Sequence, residues 1–327
     1  MPNDHPAPRG DASRALRIGT RRSALALKQT HMVRDALAAL GHSSEVVTFS
    51  TVGDERLDVP LPAIGGKGVF TAELEAALLD GRVDLCVHSL KDLPTDHPPG
   101  LDVGAVLPRE DPRDALLIRP DVAARTLGDL PPGARIGTSS LRRAAMLRHL
   151  RPDAVVVDLR GNVPTRVQRL DDGHMEAIVL AGAGLKRLGM EGRITQWLEP
   201  PTWLPAPAQG VIAIQIRRED DAVRAILRQV HDETAWFAAG AERAFLHALE
   251  GGCQVPVGAL ATHREGALWL DGVILDIDGG APARGSMRVD GVAADGQAAG
   301  MQLAASLLSS GGAPLLARAR AATPARG

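Results

Sequence analysis

A chain of 327 residues, 45% hydrophobic and 23% charged, has an ordinary globular composition and room for two or three domains. A formal net charge of −2, only 2% aromatics and no tyrosine exclude a general polyanion binder and stacking platforms for single-stranded nucleic acid. Two cysteines, Cys86 and Cys253, build no disulfide framework, zinc spacings are missing and no apolar run is of membrane length. Nucleic acid, membrane and metal are therefore not expected as partners, and the setting expected is cytoplasmic.

Residues 1–14 are polar, lack the apolar centre of a secretory signal and are expected to be disordered. Residues 15–20 read as a strand, and 23–40 as an amphipathic helix stopped by Gly41. Arg21 and Arg22 stand at that helix's N-terminus, the wrong end for cations unless an anionic ligand sits there. A strand at 45–51 precedes a Gly-, Pro- and charge-rich stretch, 52–68, which reads as a flap. Its Gly65-Gly66-Lys67-Gly68 is no P-loop, because Gly68 stands where Ser or Thr belongs.

The helix 71–79 leads to the stretch around which the chain is organised. Val83, Leu85 and Val87 alternate with Asp84, Cys86 and His88, as in a strand with a buried face. Lys91 and Asp92 follow within four residues, and Pro94 blocks extension. Open α/β sheets bind ligands beyond the carboxyl ends of their strands, so this pair is placed for chemistry. The chain has 37 basic residues, but only Lys28, Lys67, Lys91 and Lys186 are lysines. A lysine kept at 91 points to a position where a compact ammonium matters.

Strands at 102–107 and 115–118 flank Pro108-Arg109-Glu110-Asp111-Pro112-Arg113, a proline-bracketed crossing between domains. The strand 135–137 enters Thr138-Ser139-Ser140-Leu141-Arg142-Arg143 at the start of a helix, where hydroxyls, backbone N–H groups and two arginines converge. This is an anion-site signal. The pattern recurs after the strand 154–159 with Arg160, Asn162 and Arg166, and after the strand 176–181 with Lys186 and Arg187. Arginine delivered repeatedly to strand ends implies a cleft for a ligand with several carboxylates. A second Pro-rich crossing, 200–207, and a strand at 211–217 return the chain to the first domain. A helix at 234–249 then ends on Gly251-Gly252-Cys253, which holds a cysteine on a loop, whereas Cys86 reads as a core residue. Strands at 257–262, 267–275 and 287–290 and a helix at 298–308 follow, with a frayed tail beyond.

Eight motifs, in order from Arg17 to Gly258, resemble the porphobilinogen deaminase (hydroxymethylbilane synthase) family. They are built on Gly19–Ser23, Gly65–Gly68, Val87–Asp92, Arg109–Asp114, Gly137–Arg143, Leu159–Asn162, Ala183–Gly189 and Glu250–Pro256. The resemblance implies an α/β fold of three domains, two periplasmic-binding-protein-like lobes around a cleft plus a smaller C-terminal α+β domain. Domain 1 would take 15–108 and 209–227, domain 2 114–203, and the C-terminal domain 232–311, with 312–327 a disordered tail.

The resemblance also implies a transferase of tetrapyrrole (haem) biosynthesis. Four porphobilinogen molecules would be condensed, with loss of ammonia, on a dipyrromethane cofactor joined to Cys253 by a thioether, and hydroxymethylbilane then released by hydrolysis. Asp92 would be the catalytic carboxylate. Arg21, Ser23, Lys91, Thr138, Ser139, Ser140, Arg142, Arg143, Arg160, Arg166, Arg187 and Gln209 match positions that bind cofactor, substrate or the growing polypyrrole. Lys67 and Phe70 would belong to the flap. A monomer and hand-over of product to uroporphyrinogen III synthase are further expectations. Three positions depart from the family pattern: Val52 where a basic residue is common, Ala208 where glycine is usual, and Gln215 where an acidic residue is common. A non-catalytic bilobal anion receptor or a Schiff-base enzyme using Lys91 would share the arginines but leave Cys253 unused.

Overall fold

The computed structural model describes residues 14–51, 71–249, 255–289 and 293–322. Val52, Lys67, Phe70 and Cys253 lie outside them. Three sheets organise the chain.

The first sheet has the order β2-β1-β3-β10-β4, with β1 Leu16–Arg21, β2 Ser44–Phe49, β3 Leu85–Ser89, β4 Leu101–Val106 and β10 Ile212–Arg217. Strands β1, β2 and β3 run parallel, whereas β10 runs antiparallel between β3 and β4. Helix α1, Ala24–Ala39, starts where the Ser23 hydroxyl accepts from the Ala26 N–H at 3.3 Å. It stops as Gly41 turns to a φ of +85°. Its buried stripe, Ala26, Gln29, Thr30, Val33 and Leu37, has helical spacing and lies on the sheet. Helix α2 is Ala72–Leu79. Val33 and Leu37 join Ile18, Leu85, Val87, Ile212 and Ile214 in the lobe's core, where each large aliphatic side chain contributes about 1.5–3 kcal/mol.

The second sheet, order β7-β6-β8-β5-β9, comes wholly from the segment between β4 and β10. Its strands are β5 Asp114–Ile118, β6 Arg135–Gly137, β7 Val155–Val157, β8 Ala177–Ala181 and β9 Gln196–Leu198. Helices α3 Leu141–Leu150, α4 Val163–Asp171 and α5 Gly182–Arg187 follow β6, β7 and β8. Here too an antiparallel strand, β5, is inserted beside a parallel trio, pairing with β8 and β9. Two segments cross between the lobes, one from β4 to β5 and one from β9 to β10.

After α6, Asp221–Leu227, the long helix α7, Glu233–Ala248, begins the last unit. It packs on an antiparallel sheet of β11 Val257–Arg264, β12 Ala267–Ile274 and β13 Ala283–Val289, together with α8, Ala293–Leu307. This unit touches both lobes. Leu260, Val273 and Leu275 enter the core of the second lobe beside Trp203 and Leu204. Ala235 and Ala239 of α7 pack against Leu90, Leu93, Val103 and Val211 of the first.

The C-terminal tail corrects the expectation of disorder over 312–327. Ala313–Ala322 forms helix α9, because Leu315, Leu316 and Ala319 bury against the core holding Leu249, Leu303 and Leu307. Arg320 donates to the Leu249 carbonyl at 2.8 Å, and Arg318 pairs with Asp276 at 2.7 Å. At the other end Arg14, placed in the disordered lead, pairs with Asp84 at 2.6 Å. Strand β13 also starts earlier than expected, at Ala283, and Gly285 there lets the backbone lie close to Leu303 and Leu307, which a side chain would crowd.

Candidate active site

Strand β3 ends at Ser89 and passes directly into a 3-10 turn, Leu90–Asp92. Leu90 is fully buried and its N–H donates to the Val211 carbonyl at 2.9 Å, which ties the turn to the segment returning from the second lobe. Leu93 is buried beyond it, so Lys91 and Asp92 stand between two apolar anchors and are themselves partly exposed. Asp92 shares a cavity of about 60 Å³ with Arg21, Ser23, Gln29, His88 and Ser89. Gln29 donates to the Ser89 hydroxyl at 2.8 Å along that wall. His88 is buried, which pushes its imidazole down to about 4 and keeps it neutral.

Lys91 reaches toward the second lobe. Its ammonium donates to the Gln209 Oε1 at 3.2 Å, and the Gln209 amide nitrogen donates to Asp114 at 2.8 Å and to the Pro112 carbonyl at 2.7 Å. Asp114 opens β5 and is fully buried. Arg142 pairs with it at 2.8 Å, Arg143 at 2.7 Å, and the Trp203 indole N–H donates to it at 2.7 Å. These partners, above all the two guanidinium groups, overcome the cost of burial and hold its carboxyl far below the usual range. Arg142 and Arg143, expected to meet ligand, thus have a carboxylate of this chain as a partner. Each is also tied to a carbonyl, Arg142 to Leu204 at 2.8 Å and Arg143 to Val179 at 3.2 Å.

Even so, positive charge exceeds negative charge here. Burial pushes the Lys91 ammonium down to about 8, with Arg142 and Arg143 adding to the effect and Asp92 and Asp114 opposing it. Burial first, then Arg143 and Arg160, push Arg166 down to about 10, and burial does the same to Arg187. Arg160 is buried and shifted downward by desolvation. Arg166 donates to the Gly161 carbonyl at 2.7 Å and Arg187 to the Gly210 carbonyl at 2.6 Å. The Nε atoms of Arg142, Arg143 and Arg187 are buried without a hydrogen-bond partner. Desolvated cations gathered in this way are an arrangement that carboxylates are chemically suited to neutralise.

The hydroxyls of the α3 loop serve the loop itself. Ser140 caps α3, Ser139 donates to the Leu159 carbonyl at 3.0 Å, and Thr138 accepts from the Ser140 N–H at 3.2 Å. Asn162 caps α4 in the same way. Lys91, Arg142, Arg143, Arg166 and Gln209 are linked through hydrogen bonds or charge, while Arg21 and Ser23 line one cavity with Asp92.

Sequence reasoning passed over the groups that hold the crossings together. Glu242 of α7 is fully buried and accepts from Arg109 at 2.6 and 3.0 Å, from the Ala208 N–H at 2.6 Å and from the Ala261 N–H at 2.7 Å. One carboxylate therefore joins both crossings to the C-terminal sheet. The available signal was a glutamate on the apolar face of a helix, beside Ala238, Ala241 and Phe245. Asp114 gave a similar one, a charge heading an apolar strand.

Two departures from the family pattern find local explanations. Ala208 has a φ of +61°, the left-handed region that favours glycine. Gln215 lies fully buried and donates to Glu75 at 3.2 Å, where a carboxylate would face another carboxylate.

A family model described as "Porphobilinogen deaminase, dipyromethane cofactor binding domain" matches residues 16–225, and one described as "Porphobilinogen deaminase, C-terminal domain" matches 236–309. A porphobilinogen deaminase of Roseiflexus sp. (strain RS-1) is 52% identical over 303 residues, covering 92% of this chain and 98% of its own. One of Syntrophobacter fumaroxidans is 47% identical over 305 residues, covering 93% and 97%. The crystal structure of the methionine-binding protein MetQ overlaps 70% of this chain and 94% of its own at 12% identity, with a TM-score of 0.44, too slight a likeness to argue from.

Proposed function

The chain belongs to the porphobilinogen deaminase family, and from that premise we propose how its residues divide the work of condensing porphobilinogen on a dipyrromethane primer. The enzyme is a transferase, and its first two lobes form the family's dipyrromethane cofactor-binding domain. When bound, the dipyrromethane would supply the free pyrrole carbon to which the first new unit is joined, each later unit joining the ring added before it. Cys253, outside the described residues, is the attachment point on this reading.

The observation that carries the reading is the group of desolvated cations Lys91, Arg143, Arg160 and Arg166, whose charges act on one another beside Asp92, with Arg187 desolvated at the second crossing. The orphaned Nε atoms and the downward shifts fit a ligand bearing two carboxylates per ring. Lys91 and Arg166 bind ligand carboxylates in this proposal, and Arg21 and Ser23 bind one at the start of α1. Thr138, Ser139 and Ser140 shape the α3 loop that presents Arg142 and Arg143.

Asp92 is the acid on the turn, next to Lys91, within electrostatic reach of Arg166 and in one cavity with Arg21. It faces the positive charge that develops on pyrrole nitrogen as ammonia leaves, and it takes up the proton lost when the ring regains aromaticity. A fixed carboxylate aimed at developing charge supplies much of an enzyme's rate enhancement. Lys67 and Phe70, outside the described residues, belong to the flap on this reading. It extends to a monomeric cytoplasmic enzyme that passes its linear product to uroporphyrinogen III synthase. Among the described residues no helix is long and apolar enough to cross a membrane.

The test pairs two variants. Cys253→Ser is expected to purify folded, without bound pyrrole by intact mass and without activity, since a hydroxyl is a far weaker nucleophile than a thiolate. Asp92→Asn is expected to keep the pyrrole and lose roughly a hundredfold or more in turnover. Bound pyrrole on Cys253→Ser, or Asp92→Asn turnover within about tenfold of wild type, would overturn the corresponding assignment.

A further inference from the structure

The turn that carries Lys91 and Asp92 is held from outside its own lobe. Arg243 of α7 donates through one terminal nitrogen to the Leu90 carbonyl at 3.2 Å and the Leu93 carbonyl at 3.0 Å. Its other terminal nitrogen donates to the Pro94 carbonyl at 2.7 Å. These three carbonyls bracket Lys91 and Asp92. The Leu90 carbonyl also accepts from the Leu93 N–H at 3.2 Å, the bond that closes the turn, and Arg243 ties that closed turn to the Leu93 and Pro94 carbonyls just beyond it. The planar fork of a guanidinium can serve three converging acceptors at once, which a lysine ammonium on a flexible stem does less rigidly.

The placement follows from the sequence of α7. Ala235, Ala239 and Arg243 recur every fourth residue and so share one face of the helix. The two alanines are buried against Leu90, Leu93 and Val211, so close contact of the helix with this lobe brings Arg243 to the end of the turn. His247 continues the face to Thr95, its ring nitrogen lying 3.4 Å from that hydroxyl. Glu242, one residue earlier, points to the two crossings. A single turn of α7 thus grips the crossings with one side chain and the Asp92 turn with the next.

We infer that Arg243 is a positioning residue for the condensation: by holding the backbone on both sides of Lys91 and Asp92 it sets where the Asp92 carboxylate stands. The inference rests on the reading of Asp92 as the catalytic carboxylate. A clamp that merely joined domains would change stability and leave each cofactor-loaded molecule working at its usual rate. A positioning residue changes kcat at constant KM, because misplacing a reacting group costs the chemical step.

The experiment compares wild type, Arg243→Met, Arg243→Lys, Asp92→Asn and the Arg243→Met/Asp92→Asn double variant as holoenzymes, with cofactor loading fixed by intact mass. Amide hydrogen exchange over 85–97 is read beside steady-state kinetics. Arg243→Met is expected to raise exchange at Leu90 and Leu93 and leave Val87 unchanged. Its kcat is expected to fall about 30- to 100-fold, with KM within about threefold. Arg243→Lys is expected to fall between it and wild type on both readouts. The double variant is expected to be no slower than Asp92→Asn alone, since the two act through one group. Unchanged exchange in the turn overturns the inference. So does a kcat per loaded molecule within about threefold of wild type, or losses that multiply in the double variant. If Arg243→Met does not fold, Arg243→Lys decides on the same two readouts. If Asp92→Asn turns over near the wild-type rate, the reading of Asp92 fails and takes this inference with it. That failure is recognisable because it appears without any change at Arg243.

Discussion

Helices α1 and α3 begin alike. Each follows a strand of its lobe's sheet, each has a serine N-cap, and each carries two adjacent arginines at its start. In α1 the pair precedes the cap: Arg22 is exposed, and Arg21 lines the cavity it shares with Asp92. In α3 the pair follows the cap, inside the first turn, and both guanidinium groups are buried on Asp114. The repulsion between a helix N-terminus and a cation is thus met by the chain itself in one lobe. In the other, Arg21 lines the cavity that also holds Asp92, the ligand cavity on the proposed reading. The same local signal marks a site in one case and a structural keystone bordering a site in the other.

The largest expected effect tests the α3 side. Asp114→Ala would leave two buried guanidinium groups facing each other, and loss of one partner from a buried ionic network costs about 4 kcal/mol. Urea unfolding of the cofactor-free protein is expected to show that loss; a change below about 1 kcal/mol would mean that the arginines are not held by Asp114. Arg21→Leu should behave oppositely. Its stability should stay within about 0.5 kcal/mol of wild type, as for surface changes generally. KM for porphobilinogen, or the concentration of primer needed for loading, should rise about tenfold, the worth of one charge-assisted hydrogen bond. If Arg21→Leu unfolds the protein while leaving KM alone, the contrast between the two helices is reversed.

A pH profile sharpens the same distinction through Lys91. Burial lowers this base to about 8, so it is charged below that pH and neutral above it. Its hold on ligand carboxylates is therefore present below pH 8 and is lost as pH rises through that value. Bound carboxylates raise the Lys91 value, so the fall should appear in kcat/KM, which reports the free enzyme, before it appears in kcat. Lys91→Arg, charged throughout this range, should remove the alkaline fall whatever activity it retains. A fall that persists unchanged in Lys91→Arg would assign it to another group.

The smallest effect is expected at the crossing itself. Ala208→Gly relieves a left-handed alanine, worth about 1 kcal/mol. It also removes a fully buried methyl, about 0.8 kcal/mol, and frees the unfolded chain. Thermal unfolding should therefore move by the equivalent of less than about 1 kcal/mol. A large loss would show that the methyl packs the crossing, and a large gain that the strain is greater than its φ suggests.

Much of the fold is legible along the chain because it is local. The alternation around Leu85, the cap at Ser23 and the stop at Gly41 specify their elements within a few residues, and most strands and helices lie where the periodicity puts them. Helix α9 was not legible. Half of its ten residues are alanine, with one Leu315-Leu316 pair, a pattern that marks no clear apolar face, and contact with Leu249, Leu303 and Leu307 is what makes it worth folding. Strand β13 was obscured in the same way, since its Gly285 is useful only beneath α8.

The site divides along the same line. The sequence determined the stock of groups: a Lys-Asp pair after a strand, arginines at strand ends, and a lysine kept where arginine is the rule. Which arginines are compensated inside the protein, and what holds Asp92 in place, only the tertiary structure decided. Arg143 and Asp114 are 29 residues apart, Lys91 and Gln209 118, and Arg243 and the Leu93 carbonyl 150. Charge pairing and desolvation act through space over a few ångströms, and no spacing along the chain encodes which of these groups the fold will bring that close.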